Sequence, residues 1–227
     1  MSSETSSSVL PPGIRTFKPR RGRVTQRQEA GMLDGRDYFI EQPTGPLNLN
    51  SALPGYDDIV MDIGFGTGEA TAQMALDEPR MAILAVDVHT PGIGDLLHRC
   101  AHTPLPNVRV MSADALEVLT SLPEDSLAGV RTYFPDPWPK ARHHKRRLVQ
   151  QPVLDLMASR VRAAGFWHLA TDWAEYADAM QVEFDAHPMW AGGVITRPDW
   201  RPKTRYERNG LSQGREPIDL MYTRVSP

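Results

Sequence analysis

The chain has 227 residues, 41% of them hydrophobic and 23% charged, with a formal net charge of −3. That length suits one α/β domain with a substantial core, no apolar run is long enough to span a bilayer, and the acidic balance excludes a uniformly basic nucleic-acid binder. A single cysteine, Cys100, excludes an internal disulfide framework and fits a reducing, cytoplasmic setting.

The opening stretch, residues 1–13, is polar and Ser-rich and lacks the apolar core of an export signal, so a disordered tail is expected there. Residues 14–50 read as a basic N-terminal arm. Arg15, Lys18, Arg20, Arg21, Arg23 and Arg27 fall between positions 15 and 28 with no acid among them, ahead of any regular apolar pattern. Residues 51–227 read as the folded domain. Short apolar runs at 59–64, 81–88, 108–114, 128–134 and 165–172 alternate with helix-spaced segments at 68–78, 92–102, 114–122, 146–161 and 172–188. This alternation predicts an α/β fold with a mostly parallel sheet and helices on both faces. Two late strands, 192–197 and 218–225, show no clear helix between them, which predicts a hairpin at one sheet edge.

Ligands of such sheets sit at the carboxyl ends of the strands. Asp62, Asp87, Asp114, Asp136 and Asp172 fall at or near those ends in all five predicted parallel strands. Between the first strand and its helix, "DIGFGTGEA" carries Gly64, Gly66 and Gly68 in a G-x-G-x-G spacing. That spacing differs from the dinucleotide fingerprint. Glu69 follows at once, an unfavourable neighbour for a phosphate at a helix start. A donor without phosphates fits better, and S-adenosylmethionine has an amino-acid end and a ribose. Asp87 then suits the ribose hydroxyls and Asp114 the adenine amino group. The alternative for both acids is plain helix capping. His98, Cys100 and His102 do not share one helix face, and no metal is expected.

At 134–147 the chain reads "FPDPWPKARHHKRR". Pro135 fixes its own φ and Pro137 biases Asp136 away from the helical region, so the backbone around this acid is preset. Trp138 offers a plane for stacking on a base or for packing against the fold. The five Lys/Arg and two His of 140–147, and the five Lys/Arg of 197–208, join the first basic run as candidate contacts to a polyanion. Arg146 and Arg147 are included in that expectation.

The basic-aromatic block resembles the signature of the tRNA (guanine-N7)-methyltransferase family. "DIGFGTGE", "VDVHTPGIG", "NVRVMSADA", "ATDWAEYADAM" and "RPKTRYERNG" resemble further family blocks in the same order, so the resemblance covers nearly the whole chain from about residue 14. Asp62 and Asp87 stand where the family usually has Glu. The resemblance implies a Rossmann-like class I methyltransferase fold with a seven-stranded sheet and one late antiparallel strand. It implies methyl transfer from S-adenosylmethionine, leaving S-adenosylhomocysteine, to guanine N7 in the variable region of tRNA. It further implies donor contacts from Asp62, Gly64, Gly66, Gly68, Asp87, Asp114 and Asp136, with Asp136 also catalytic, and substrate contacts from Lys140, Asp172, Thr204, Arg205, Tyr206 and Glu207. The expected partner is tRNA, with no membrane and no obligate protein partner. Two other readings stand beside it, an amino-group methyltransferase and a non-catalytic RNA-binding protein on the same fold.

Overall fold

A computed structural model of the chain describes residues 10, 11, 14–17 and 22–226. Residues 1–9, 12 and 13 of the expected tail, and Lys18, Arg20 and Arg21 of the first basic run, lie outside the described residues, whereas Leu10 of that tail is buried in the core. Seven strands form one sheet: β1 (Ile59–Ile63), β2 (Ala82–Asp87), β3 (Val108–Ser112), β4 (Leu127–Tyr133), β5 (Val161–Thr171), β6 (Trp190–Ile195) and β7 (Ile218–Arg224). Their spatial order is β3-β2-β1-β4-β5-β7-β6. The first five run parallel, and β7 pairs antiparallel with both β5 and β6. The chain leaves β1 for one side and returns to β4 on the other, so the topological switch lies between β1 and β4, where ligands of open α/β sheets bind. Every residue of β1 and β4 is buried, as expected of central strands covered on both faces.

The covering helices are α1 (Gln26–Asp34), α2 (Leu49–Ala52), α3 (Glu69–Asp77), α4 (Thr90–His102), α5 (Ala115–Ser121), α6 (Gln151–Arg160), α7 (Ala174–Asp185) and α8 (Arg205–Ser212). Among the described residues no helix is long and apolar enough to cross a membrane. Two expectations need correction. The helix predicted over 146–161 begins only at Gln151, because Pro152 has no N–H to donate and belongs in a first helical turn. Upstream, a 3-10 turn over Ala141–Arg146 ends in extended backbone at Arg147, φ −61° and ψ 144°. The late strands also do not form a simple hairpin, since α8 lies between them. The buried positions of α8 are Glu207 and Gly210, so it carries no apolar stripe for sequence reading to find.

The segment before β1 is largely docked. Thr25 and Gln28 form a reciprocal capping box at the start of α1. This helix crosses α4 at two glycines: a Cβ placed on Gly31 would lie 2.3 Å from the Gly94 carbonyl oxygen, and one on Gly94 would lie 2.6 Å from that of Gln28. Arg27 and Gln28 reach Asp95 of α4 from the same side. Farther on, Phe39 bridges Val110 of β3, and Leu47, Leu49 and Leu53 enter the core. A Gly31→Val substitution overpacks the crossing. It is expected to lower stability by about 1–3 kcal/mol, read as the shift in a denaturant unfolding midpoint at constant slope.

Candidate active site

The three glycines after β1 have left-handed backbones, with φ of +71° at Gly64, +63° at Gly66 and +66° at Gly68. Alternating left-handed residues turn the chain back tightly from strand to helix, and only glycine does this without strain. The loop is also closely enclosed. A Cβ on Gly68 would lie 2.5 Å from Leu96, and Gly92 of α4 leaves less than a side chain's room beside the Gly66 carbonyl. On the open side a cleft is lined by Gly64, Gly66, Asp87, Asp114, Asp136 and Tyr206, among others. The ring of Tyr206 stands 3.2 Å from where a Gly66 Cβ would be.

Two acids of the cleft, Asp87 and Asp114, are held by backbone. The Gly66 and His89 N–H groups each donate to one oxygen of Asp87, both at 2.9 Å, and the residue lines the cleft. Burial nonetheless pushes its carboxyl above the usual range. Asp114 caps α5, accepting the Leu116 N–H at 3.0 Å, and still lines the cleft, so capping and ligand contact are compatible here. Burial raises its carboxyl as well. Asp62 does not line the cleft. It lies beneath the glycine loop, 3% exposed, accepts the Thr71 hydroxyl at 2.6 Å, and burial pushes it up to about 6.

Asp136 reaches the cleft on an elbow bent at both ends. Phe134 and Trp138 have φ of +57° and +45°, uncommon values for bulky residues that cost about 1–3 kcal/mol each. Three hydrogen bonds hold the bend. The Phe134 N–H donates to the Ala170 carbonyl at 2.7 Å, Arg147 Nε to the Pro137 carbonyl at 3.1 Å, and Trp138 Nε1 to the Thr16 carbonyl at 3.1 Å. Trp138 is 6% exposed, with the Arg146 guanidinium 5.0 Å from its ring, so packing and not base stacking is its role in this structure.

Arg147 corrects the expectation placed on it. Its side chain is buried, pairs bidentately with Glu175, and lies 4.8 Å from the Tyr176 ring. Of the basic run, Lys140, Arg142 and Lys145 are exposed. In the 197–208 cluster, Arg201 is buried between Glu207, at 2.7 Å, and Asp219, at 2.9 Å. Glu207 therefore faces inward, 1% exposed. Thr204 caps α8 by accepting the Glu207 N–H at 3.0 Å, and Arg205 is exposed. Asp172 is paired with Arg215 Nε at 2.7 Å and packs on Gly210, away from the cleft lining.

Among the cleft residues that sequence reading did not assign to the site are His89, Thr132, Tyr133 and Phe17. Thr132 and Tyr133 end β4, so the strand-end rule could have found them; nothing in the pattern marks Phe17. Also missed was a buried relay behind the cleft. The Tyr133 hydroxyl meets His168 Nδ1 at 2.9 Å, and His168 Nε2 meets Asp219 at 2.9 Å. Burial lowers the His168 imidazole below its usual value. A neutral ring then donates from Nε2 to Asp219 and accepts from Tyr133 at Nδ1.

A glycine-lined cleft at the switch point, with an antiparallel seventh strand inserted between the fifth and sixth, defines a class I methyltransferase fold. Solved structures agree at the level of fold. The 16S rRNA methyltransferase KamB matches with a TM-score of 0.59 at 16% identity, over 82% of this chain and 96% of that one. A mutant of the 16S rRNA (adenine(1408)-N(1))-methyltransferase from Catenulisporales acidiphilia, solved with cosubstrate SAM, matches with a TM-score of 0.52 at 14% identity, over 90% of this chain and 94% of that one. The profile described as "Putative methyltransferase" matches residues 57–220. A tRNA (guanine-N(7)-)-methyltransferase of Streptomyces avermitilis is 46% identical over 94% of this chain and 76% of its own length. That of Thiobacillus denitrificans is 41% identical over 97% and 99%. The chain belongs to the tRNA (guanine-N7)-methyltransferase family.

Because Arg147 clamps the elbow, its loss is a folding defect before it is a binding defect. Arg147→Met is expected to lower stability by about 1.5–3 kcal/mol through its charged hydrogen bonds, measured by denaturant unfolding. The salt dependence of RNA binding by the folded fraction is expected to stay as in the wild type.

Proposed function

We infer that this chain transfers a methyl group from S-adenosylmethionine to guanine N7 in the variable region of tRNA. The observation that carries this reading is an acid, Asp136, fixed on a strained elbow at a glycine-lined cleft, in a chain 46% identical to a tRNA (guanine-N(7)-)-methyltransferase. The cleft fits the donor. Gly64 leaves open space where a Cβ would stand, so backbone approaches closely. Asp87 and Asp114 present carboxylate oxygens with unused lone pairs to hydroxyl and amino donors. Asp87, Asp114 and buried Asp62 give the cleft a negative potential suited to a cationic ligand.

The donor, when bound, supplies an electrophilic methyl on a sulfonium. Guanine N7 carries a lone pair at neutral pH, so no side chain has to remove a proton first. The protein's task is then to place N7 in line with the methyl and to keep water away. Positive charge builds on the guanine ring as N7 attacks. A carboxylate fixed nearby favours that charge without reorganising. Asp136 takes this role, because its elbow is set before any ligand arrives. Lys140 and the exposed cations of the following turn contact phosphates and position the RNA. Tyr206 and the start of α8 overlie the donor loop and face the incoming substrate.

Two outcomes test this reading. Labelled S-adenosylmethionine incubated with unmodified tRNA should give 7-methylguanosine after digestion to nucleosides. Asp136→Ala should reduce that turnover by roughly 10²–10³-fold while keeping the wild-type unfolding midpoint. Label on adenine, or full turnover by the variant, would contradict it. Donor affinity should also fall as pH drops through about 6, where Asp62 takes up a proton and its negative charge is lost. Calorimetry from acid to neutral pH should show this for wild type and a flatter profile for Asp62→Asn.

A further inference from the structure

Beside the donor cleft, α1, α3, α4 and the segment leading into α8 enclose a second groove, lined by Arg27, His98, Arg99, His102, Lys203 and Arg208 with Glu69. We propose that this groove is an RNA-backbone site, taking phosphates of the same tRNA whose guanine enters the donor cleft. The proposal rests on the tRNA reading above and extends its footprint to residues outside the methyl-transfer site.

Charge is the first reason. In a chain of formal net charge −3, four Lys/Arg and two His converge on one groove. Two of these cations are already engaged: Arg27 with Asp95, and Arg208 with Glu69 at 2.6 Å. Among the described residues no carboxylate pairs with Arg99 or Lys203.

Unmet hydrogen bonding is the second. Arg99 Nε and His98 Nδ1 are shielded from solvent and have no partner. A guanidinium Nε–H is always a donor, and a shielded donor without an acceptor is unfavourable. Nε itself, shut off from solvent, is not reached from the groove; contact with phosphate oxygens falls to the rest of the planar guanidinium of Arg99, which lines it. The His98 and His102 rings lie 4.0 Å apart. His98 is held below its usual value by burial first, and then by His102 and Arg27, with Asp34 and Asp95 acting the other way.

Continuity is the third reason, and it argues for a polymer over a small anion. The two clefts have no lining residue in common but are built on neighbouring positions of the same elements. In α8, Tyr206 lines the donor cleft while Arg208 lines the groove and holds Glu69, the first residue of α3 after the glycine loop. On the other side, a Cβ on Gly22 would lie 2.9 Å from Pro91 and 3.5 Å from His89, a donor-cleft residue. From there the chain runs into α1 and Arg27. The two sites therefore adjoin along α8 and along the segment from Gly22 to Arg27.

The test measures binding of an unmodified tRNA transcript by filter retention between about 50 and 200 mM salt. Compared are wild type, Arg99→Glu, Lys203→Glu and a control, Arg80→Glu, which makes the same charge change in the exposed turn before β2. The groove variants should each weaken binding about five- to tenfold and reduce the salt slope by about one. The control should stay within about twofold of wild type. Donor affinity by calorimetry shows that each variant is folded, and Arg99→Gln and Lys203→Gln stand in for any that is not. Groove variants that match the control in affinity and slope would overturn the proposal. So would saturation of the groove by inorganic phosphate, seen in spectra of its histidines, that leaves tRNA binding unchanged. A wild-type chain that binds tRNA and makes 7-methylguanosine while the groove variants bind normally would sink this inference alone. A wild-type chain that forms no 7-methylguanosine would sink the function itself.

Discussion

The arrangement around the cleft depends on one buried cation, Arg201. Its side chain is wholly enclosed, donates to Glu207 of α8 and Asp219 of β7, and lies 5.5 and 6.0 Å from the rings of Tyr133 and Phe134. A buried guanidinium is tolerable only when carboxylates compensate it, and removal of either partner would leave a charge in low dielectric. That requirement fixes four parts of the chain relative to one another: the end of β4, the start of the elbow, β7, and α8 with its Tyr206. Asp219 holds neutral His168 as well, and His168 accepts the Tyr133 hydroxyl. The wall of the cleft and the helix over its glycine loop are thus joined by a single polar network behind them.

The elbow follows the same logic with different means. Two aromatic residues in left-handed backbone are unfavourable, and a flexible loop would relax out of them. Prolines on both sides of Asp136 remove most of the alternatives. Arg147 then locks the Pro137 carbonyl while holding Glu175 at the start of α7. The Leu148 and Val149 N–H groups donate to the Tyr176 hydroxyl at 3.1 and 3.4 Å, which carries the constraint into the core. Strain retained in this way places a carboxylate without waiting for a ligand. Such prior placement is what charge stabilisation in a transition state requires.

Periodicity made the sheet legible, because central strands of a parallel sheet are continuous apolar runs and their helices are spaced at 3.6. It could not reveal α8, whose inward positions are a paired Glu207 and Gly210. The strand-end rule found the acids but not which of them face the cleft. Asp87 ends its strand and lines the cleft, whereas Asp62 stands one residue inside β1 and is sealed under the loop. Asp172 has a strand-end position too, but Arg215, 43 residues later, draws it aside. Whether an arginine meets solvent or an internal acid is also decided by long-range partners. Arg147 and Glu175 are 28 residues apart, and nothing in either neighbourhood signals the pair.

For the polyanion contact proposed above, where charge sits matters more than its sum. Arg131, Arg147 and Arg201 are buried against Glu78, Glu175, and Glu207 with Asp219. Each such group contributes little field outside, since its charge is cancelled at short range. The formal sum therefore counts cations that a nucleic acid would never feel, together with the acids that cancel them. What remains outside is set by exposed residues such as Lys140, Arg142, Lys145, Lys203 and Arg205. Over a screening length of about 8 Å at physiological salt, position matters more than total. Two of these, Lys203 and Arg205, flank Thr204, the cap of the helix that overlies the donor loop. On the proposed function, a backbone drawn to them is brought beside the cleft that holds Asp136, so attraction and chemistry would be directed to one place by the same few elements.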